Sequence, residues 1–202
     1  MAGSAIAINC TLKRSGGEAS STDRMIGVLA DAFAKRGVKV AGTLRMVDYT
    51  IAPGVTSDEG NGDEWPGLRE KILAHDILIF GGPIWMGQIG SIAKRVLERM
   101  DAFLYETDEQ GRMPSYGKVA VAAIVGNEDG AHMSSAQLFQ SLNDTGWTIP
   151  AVAACYWVGE AMGSIDFKDL EHLPRKVSQT ADMVAANAAH LAQLLKDSPY
   201  PG

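Results

Sequence analysis

The chain has 202 residues, 46% of them hydrophobic and 21% charged, enough for one sizeable core and without the bias of disordered or repetitive chains. A formal net charge of −6 argues against a general nucleic-acid or anionic-membrane surface, and no apolar run approaches the ~20 residues that span a bilayer. Two cysteines, Cys10 and Cys155, make neither a disulfide framework nor a metal-ligand pair, so one domain over residues 1–202 in a reducing cytoplasm is expected.

The first ten residues lack the basic start and long hydrophobic run of an export signal and read as a first strand over 5–9. Cys10-Thr-Leu-Lys-Arg-Ser-Gly-Gly-Glu-Ala-Ser-Ser-Thr22 is then a loop of hydroxyls, two glycines and two cations. The helix after it carries Met25, Val28, Leu29, Ala32 and Phe33 on one face, with Ser21 or Thr22 as its cap. A strand, a polar loop and a helix N-terminus present free N–H groups and the positive end of a helix dipole, the geometry that binds phosphate. Thr11, Ser20, Ser21 and Thr22 are the candidate donors, with Lys13 or Arg14 adding charge. A solvated loop with an ordinary cap has the same composition, so position has to decide between the two.

Gly37 ends this helix and a second strand follows over 38–46. Residues 48–67 form a long polar connection whose Asp58, Glu59, Asp63 and Glu64 read as a solvated acidic run rather than a metal site. A short helix over 68–75 leads to a strand at 77–80, apolar enough to be buried on both faces. The turn after it exposes Trp85 and Met86 among glycines, and a helix over 91–103 puts Ile92, Val96, Met100 and Phe103 on one stripe. Beyond a second long connection, 104–117, come a strand at 118–125 and the polar loop Gly126-Asn-Glu-Asp-Gly-Ala-His132. A helix at 134–144, a strand at 151–156, a polar connection at 158–170 and a helix at 174–196 complete the chain.

Strands that alternate with helices predict a parallel α/β sheet covered on both faces, with the loops after strands one, three and four converging at the carboxyl edge. Those three loops suit a ligand with a phosphate at one end and a flat polar ring at the other. Other nucleotide sites fail on particular residues. Gly82-Pro-Ile-Trp-Met-Gly-Gln88 has P-loop spacing but Gln88 where the lysine belongs, no Gly-x-Gly-x-x-Gly follows strand one, and no Gly-x-Ser-x-Gly turn is present.

Ile79-Phe-Gly-Gly-Pro-Ile-Trp-Met-Gly-Gln-Ile-Gly-Ser-Ile-Ala-Lys94, with its Pro-x-x-x-Gly core and Ser-x-x-Lys helix start, resembles the flavin loop of the flavodoxin-like NAD(P)H-dependent oxidoreductases and FMN reductases. The resemblance runs over residues 5–160 by element order. It implies a flavodoxin-like three-layer sandwich with a five-stranded parallel sheet in the order 2-1-3-4-5. It also implies flavin mononucleotide (FMN) as cofactor, NAD(P)H as reductant, and a quinone, free flavin or other small molecule as acceptor. Carried over residue by residue, it places the FMN phosphate on Thr11, Lys13, Ser20, Ser21 and Thr22. Pro83, Ile84, Trp85, Met86, Gly87 and Gln88 then wrap the ring, while Gly126, Asn127, Glu128 and Gly130 face its other edge. The amides of residues 85–88 are candidate donors to the reduced ring, and His132 is a candidate proton donor. This chain departs from the family pattern in having Thr11-Leu12 where a Ser-Pro pair is common and Trp85-Met86 where a tyrosine is frequent. The competing expectation is a flavodoxin-type FMN carrier without NAD(P)H activity of its own. The connections at 48–67 and 104–117 favour an enzyme, as a lid or a subunit interface, and a homodimer is expected, with the last helix and the loop around Trp157 as further interface elements.

Overall fold

The computed structural model describes residues 3–201. Five parallel strands form one sheet: β1 (Ser4–Asn9), β2 (Lys39–Arg45), β3 (Ile77–Trp85), β5 (Val119–Gly126) and β6 (Ala154–Val158), in the spatial order β2-β1-β3-β5-β6. A two-residue strand, β4 (Gln88–Ile89), folds back antiparallel on the end of β3. Leaving out that hairpin arm, the order is the 2-1-3-4-5 expected of a flavodoxin-like sandwich.

Alternation along the central strands divides the core in two. Ala5, Ala7, Ile77, Ile79, Val121 and Ala123 point to one face, where α1 (Ser21–Ala34) and α5 (Arg175–Asp197) cover them with Met25, Leu29, Phe33, Val184 and Ala188. Ile6, Ile8, Leu78, Phe80, Ala122 and Ile124 point to the other. There α2 (Trp65–Leu73), α3 (Ser91–Met100) and α4 (Ala131–Asp144) bury Leu68, Ile72, Val96, Met100, Leu138 and Leu142. Each strand is apolar on both faces because helices lie on both, the rule for parallel sheets. None of the described helices is long and apolar enough to cross a membrane.

Several boundaries move from those expected, each for a local reason. The third strand continues past Phe80 because Gly81 and Gly82 keep pairing with β5, as far as Pro83 opposite Val125. Gly81 is needed there: a Cβ would lie 2.8 Å from both Ile26 Cδ1 and Thr22 Cγ2, so its absence lets the start of α1 lie against the strand. The chain then reverses at Met86 and Gly87, both with positive φ (53° and 76°), as a two-residue hairpin turn with both central residues left-handed requires. Helix α2 starts at Trp65, earlier than expected, since Pro66 fits the first turn, where its missing N–H costs nothing. Helix α4 likewise starts early, at Ala131. The last strand starts late because Val152 takes a positive φ of 54° in a turn.

The two long connections also differ from expectation. Residues 48–67 are fastened down by a buried ion pair, Arg99 Nη1 to Asp63 Oδ2 at 2.7 Å, with both side chains fully shielded from water. The same guanidinium donates to the carbonyl of Thr56 at 2.8 and 3.1 Å and to that of Ala52 at 3.0 Å. Asp63 is therefore a structural anchor rather than part of a solvated acidic run. The 104–117 connection precedes β5 and so lies at the amino edge of the sheet, where it meets Pro199 and Tyr200.

Candidate functional site

At the carboxyl edge, the ends of β1, β3, β5 and β6 enclose a cleft of about 360 Å³. Its polar end is built on Asn9, the last residue of β1. The buried Asn9 side chain accepts from the Thr11 amide at 2.9 Å and donates to Asp23 at 2.5 Å and to the Ser20 hydroxyl at 3.4 Å, joining the start of the loop to the start of α1. Arg45 on β2 pairs with Asp23 and donates to the carbonyls of Lys13 and Arg14, both at 3.1 Å. The Ser20 hydroxyl caps α1 by accepting from the Asp23 amide, which leaves the amides of Ser21 and Thr22 without an acceptor among the described residues. Thr11, Lys13, Ser20, Ser21 and Thr22 all line this end.

The apolar end is a slot. Pro83, Ile84 and Trp85 line it from β3, Val125, Gly126, Asn127 and Glu128 from β5 and its loop, and Trp157, Met162, Asp166 and Phe167 from β6 and the connection after it. Trp157 packs on Phe167 with ring centroids 5.5 Å apart. Trp85 is 54% exposed.

Four residues expected at the ring are engaged in contacts between the loops. Met86 donates its amide to the Glu128 carboxylate at 2.7 Å, Gln88 pairs with Trp85 across the hairpin, and Gly87 meets Gly130 backbone to backbone. Met86, Gly87, Gln88 and Gly130 do not line the cleft. They clasp the hairpin to the loop after β5, and the clasp takes up the Met86 amide that had been expected to face the ring. His132 also lies off the lining, with Nε2 3.1 Å from the Tyr156 hydroxyl and the two rings edge to face. Among the described residues none from 48–67 or 104–117 lines the cleft.

The loop after β6 is the element the sequence reading left out of the site. Arg24, on α1, holds it by donating to the carbonyls of Phe167, Lys168 and Leu170 at 2.7, 3.0 and 2.8 Å, and the Lys168 amide donates to the Ser21 hydroxyl at 3.2 Å. Asn127 donates to Asp166 at 2.7 Å. Burial pushes the Asp166 carboxyl up, but the bonds from Lys168 and Asn127 outweigh it and hold the group below the usual carboxylate range. The signal in the sequence was slight: Phe167, an isolated aromatic in a polar connection. Cys10, beneath the polar end, is fully buried and its thiol is pushed far up by desolvation, so it packs and does not react.

The donor set fits FMN. Two free amides, four hydroxyls and a lysine stand at one end for a phosphate, and an aromatic-walled slot at the other for a flat ring, at a volume ordinary for a ligand site.

The fold is that of flavodoxin-like proteins, and an NADPH-dependent FMN reductase family model matches residues 5–162. The chain belongs to that family of FMN-dependent, NADPH-using oxidoreductases. It is 32% identical over 212 residues to the 8-demethyl-8-aminoriboflavin-5'-phosphate synthase of Streptomyces davaonensis, covering 99% of this chain and 81% of that one. It is 37% identical over 199 residues to the divalent metal cation transporter MntH of Mycobacterium bovis, covering 95% of this chain but only 29% of that protein's length. Among solved structures, RosB with bound 8-demethyl-8-formylriboflavin-5'-phosphate superposes with a TM-score of 0.87 at 30% identity, covering all of this chain and 83% of RosB. The NADH:FMN oxidoreductase EmoB shares the fold, with a TM-score of 0.66 at 15% identity over 95% of this chain and 89% of EmoB.

Proposed function

We propose that this protein binds FMN in the cleft at the carboxyl edge of the sheet and uses it to pass reducing equivalents from NAD(P)H to a small acceptor, a quinone or a free flavin. The observation that carries this reading is one cleft joining the free amides of Ser21 and Thr22 to a slot walled by Trp85, Trp157 and Phe167. When bound, the flavin supplies the hydride chemistry, so the protein needs no nucleophile of its own. The chain binds and orients. The start of α1 with Thr11, Ser20 and Lys13 would take the phosphate, Pro83, Ile84 and Trp85 would flank the ring, and Asn127, fixed by Asp166, would set the polar edge. The exposed rims, Trp85 at 54% and Met86 at 88%, favour a second copy beside the ring, and we infer a homodimer in the cytoplasm.

Anaerobic titration tests this reading. Protein saturated with FMN should lose its oxidised flavin absorbance on adding NADPH or NADH. A bound flavin that neither nucleotide reduces would make the protein a carrier, and failure to bind FMN would remove both. A second reading, in which a flavin phosphate is the substrate and its ring is altered, is favoured by the close superposition on RosB, a structure holding a modified flavin phosphate. Mass spectrometry of the flavin after turnover separates the two: the reductase returns FMN unchanged.

A further inference from the structure

A second cation stands next to the polar end of the cleft, outside its lining. Lys13 Nζ lies 2.7 Å from Glu18 Oε1, and Lys168 Nζ, from the loop after β6, lies 3.9 Å from that same oxygen. Lys168 also reaches Asp169 at 2.7 Å and Asp166 at 3.2 Å, and its side chain is only 17% exposed. Its backbone is fixed at the start of α1, because the Lys168 amide donates to the Ser21 hydroxyl and Arg24 holds its carbonyl. One carboxylate, Glu18, therefore bridges two ammonium groups: Lys13, which lines the cleft, and Lys168, which lies just outside its lining.

That carboxylate is the replaceable member. Glu18 is 65% exposed, the most exposed of the three acids around Lys168, and follows Gly16 and Gly17. Gly16 takes a φ of +76° and its Cβ position faces open space, so little packing holds this part of the loop. An exposed ion pair is weak, whereas a phosphate held by two ammonium groups and helix amides gains several charge-assisted bonds at once. With Glu18 in place, two cations face three carboxylates, a balance that disfavours an incoming dianion.

We propose that Lys168 is a second cation for the phosphate of the bound flavin and that Glu18 is the carboxylate the phosphate displaces. Lys168 belongs to an element remote in sequence from the loop after β1, so phosphate binding joins the two loops and selects phosphorylated flavin over riboflavin. This inference rests on the FMN reading above.

Fluorescence titration of FMN and of riboflavin against wild type, Lys168→Met and Glu18→Gln tests it. Loss of one charge-assisted contact predicts FMN binding about tenfold weaker in Lys168→Met, with riboflavin binding unchanged. Glu18→Gln should bind FMN more tightly than wild type, again with riboflavin unchanged. It alters an exposed side chain, so it remains informative if Lys168→Met misfolds. Unchanged FMN affinity in either variant, or equal loss of both ligands in Lys168→Met, overturns the proposal. Wild-type protein that binds neither ligand overturns the FMN reading itself.

Discussion

Replacing Arg99 with Met strands a buried carboxylate. Asp63 would lose the cation it pairs with, and the carbonyls of Thr56 and Ala52 would lose three of the bonds that tie 48–67 to α3. Removing one partner of a buried ion pair costs about 3–5 kcal/mol. For a domain of this size each kcal/mol lowers Tm by roughly 2–4 °C, so a fall of about 6–20 °C is expected by thermal circular dichroism. Adding Asp63→Asn removes the stranded charge and should recover part of the loss. FMN affinity should not change, since none of the described residues Arg99 ties down lines the cleft. The pH dependence has a definite sign. Burial pushes the Asp63 carboxyl up, but bonds from the Glu59 amide, Arg99 and the Ala52 and Trp65 amides hold it below its ordinary value. A depressed carboxyl stabilises the fold fully above its unfolded pKa near ~3.9, and that stability is lost as pH falls through the folded value. The gap between wild type and Arg99→Met should therefore be full at neutral pH and narrow below about pH 4. A fall in Tm of less than about 3 °C, the size of a surface pair, would refute the anchoring role.

Three further outcomes follow from the packing. Gly81→Ala places a Cβ 2.8 Å from Ile26 and Thr22 and 3.0 Å from the Ile8 carbonyl, so it should cost about 1–3 kcal/mol in denaturant unfolding and weaken FMN binding by moving α1. Gly130→Ala forces a side chain onto a φ of 126° and against the Gly87 backbone, which should cost roughly 1–3 kcal/mol and loosen the hairpin clasp, read as faster hydrogen exchange at the Met86 amide. Burial pushes Cys155 up to about 12 and Cys10 further, so thiol reagents at neutral pH should label both in denaturant and neither in the folded protein, as read by mass spectrometry.

The layer order and the polar end of the site were legible because they rest on local patterns. Apolar runs such as 77–80 mark buried parallel strands, and hydroxyls before an amphipathic helix mark an N-terminus. The ring end was legible only in part. Pro83, Ile84 and Trp85 line it as expected, but nothing local shows that Met86 gives its amide to Glu128, forty-two positions away, or that Gly87 serves contact with Gly130. The long connections misled for the same reason. Asp63 looked solvated because its partner, Arg99, lies on a later helix, and 104–117, read as a lid or a subunit interface over the ring, enters its strand at the amino edge. The contribution of the loop after β6 depends on Arg24 reaching across from α1, a tertiary contact with no signature in spacing.

A crystal structure of the protein soaked with FMN measures the central claim most directly. The account predicts the phosphate on the amides of Ser21 and Thr22 and the ring between Trp85 and the Trp157–Phe167 pair. A flavin bound elsewhere, such as against Pro199 and Tyr200, or one turned so that its phosphate leaves the start of α1, would contradict it.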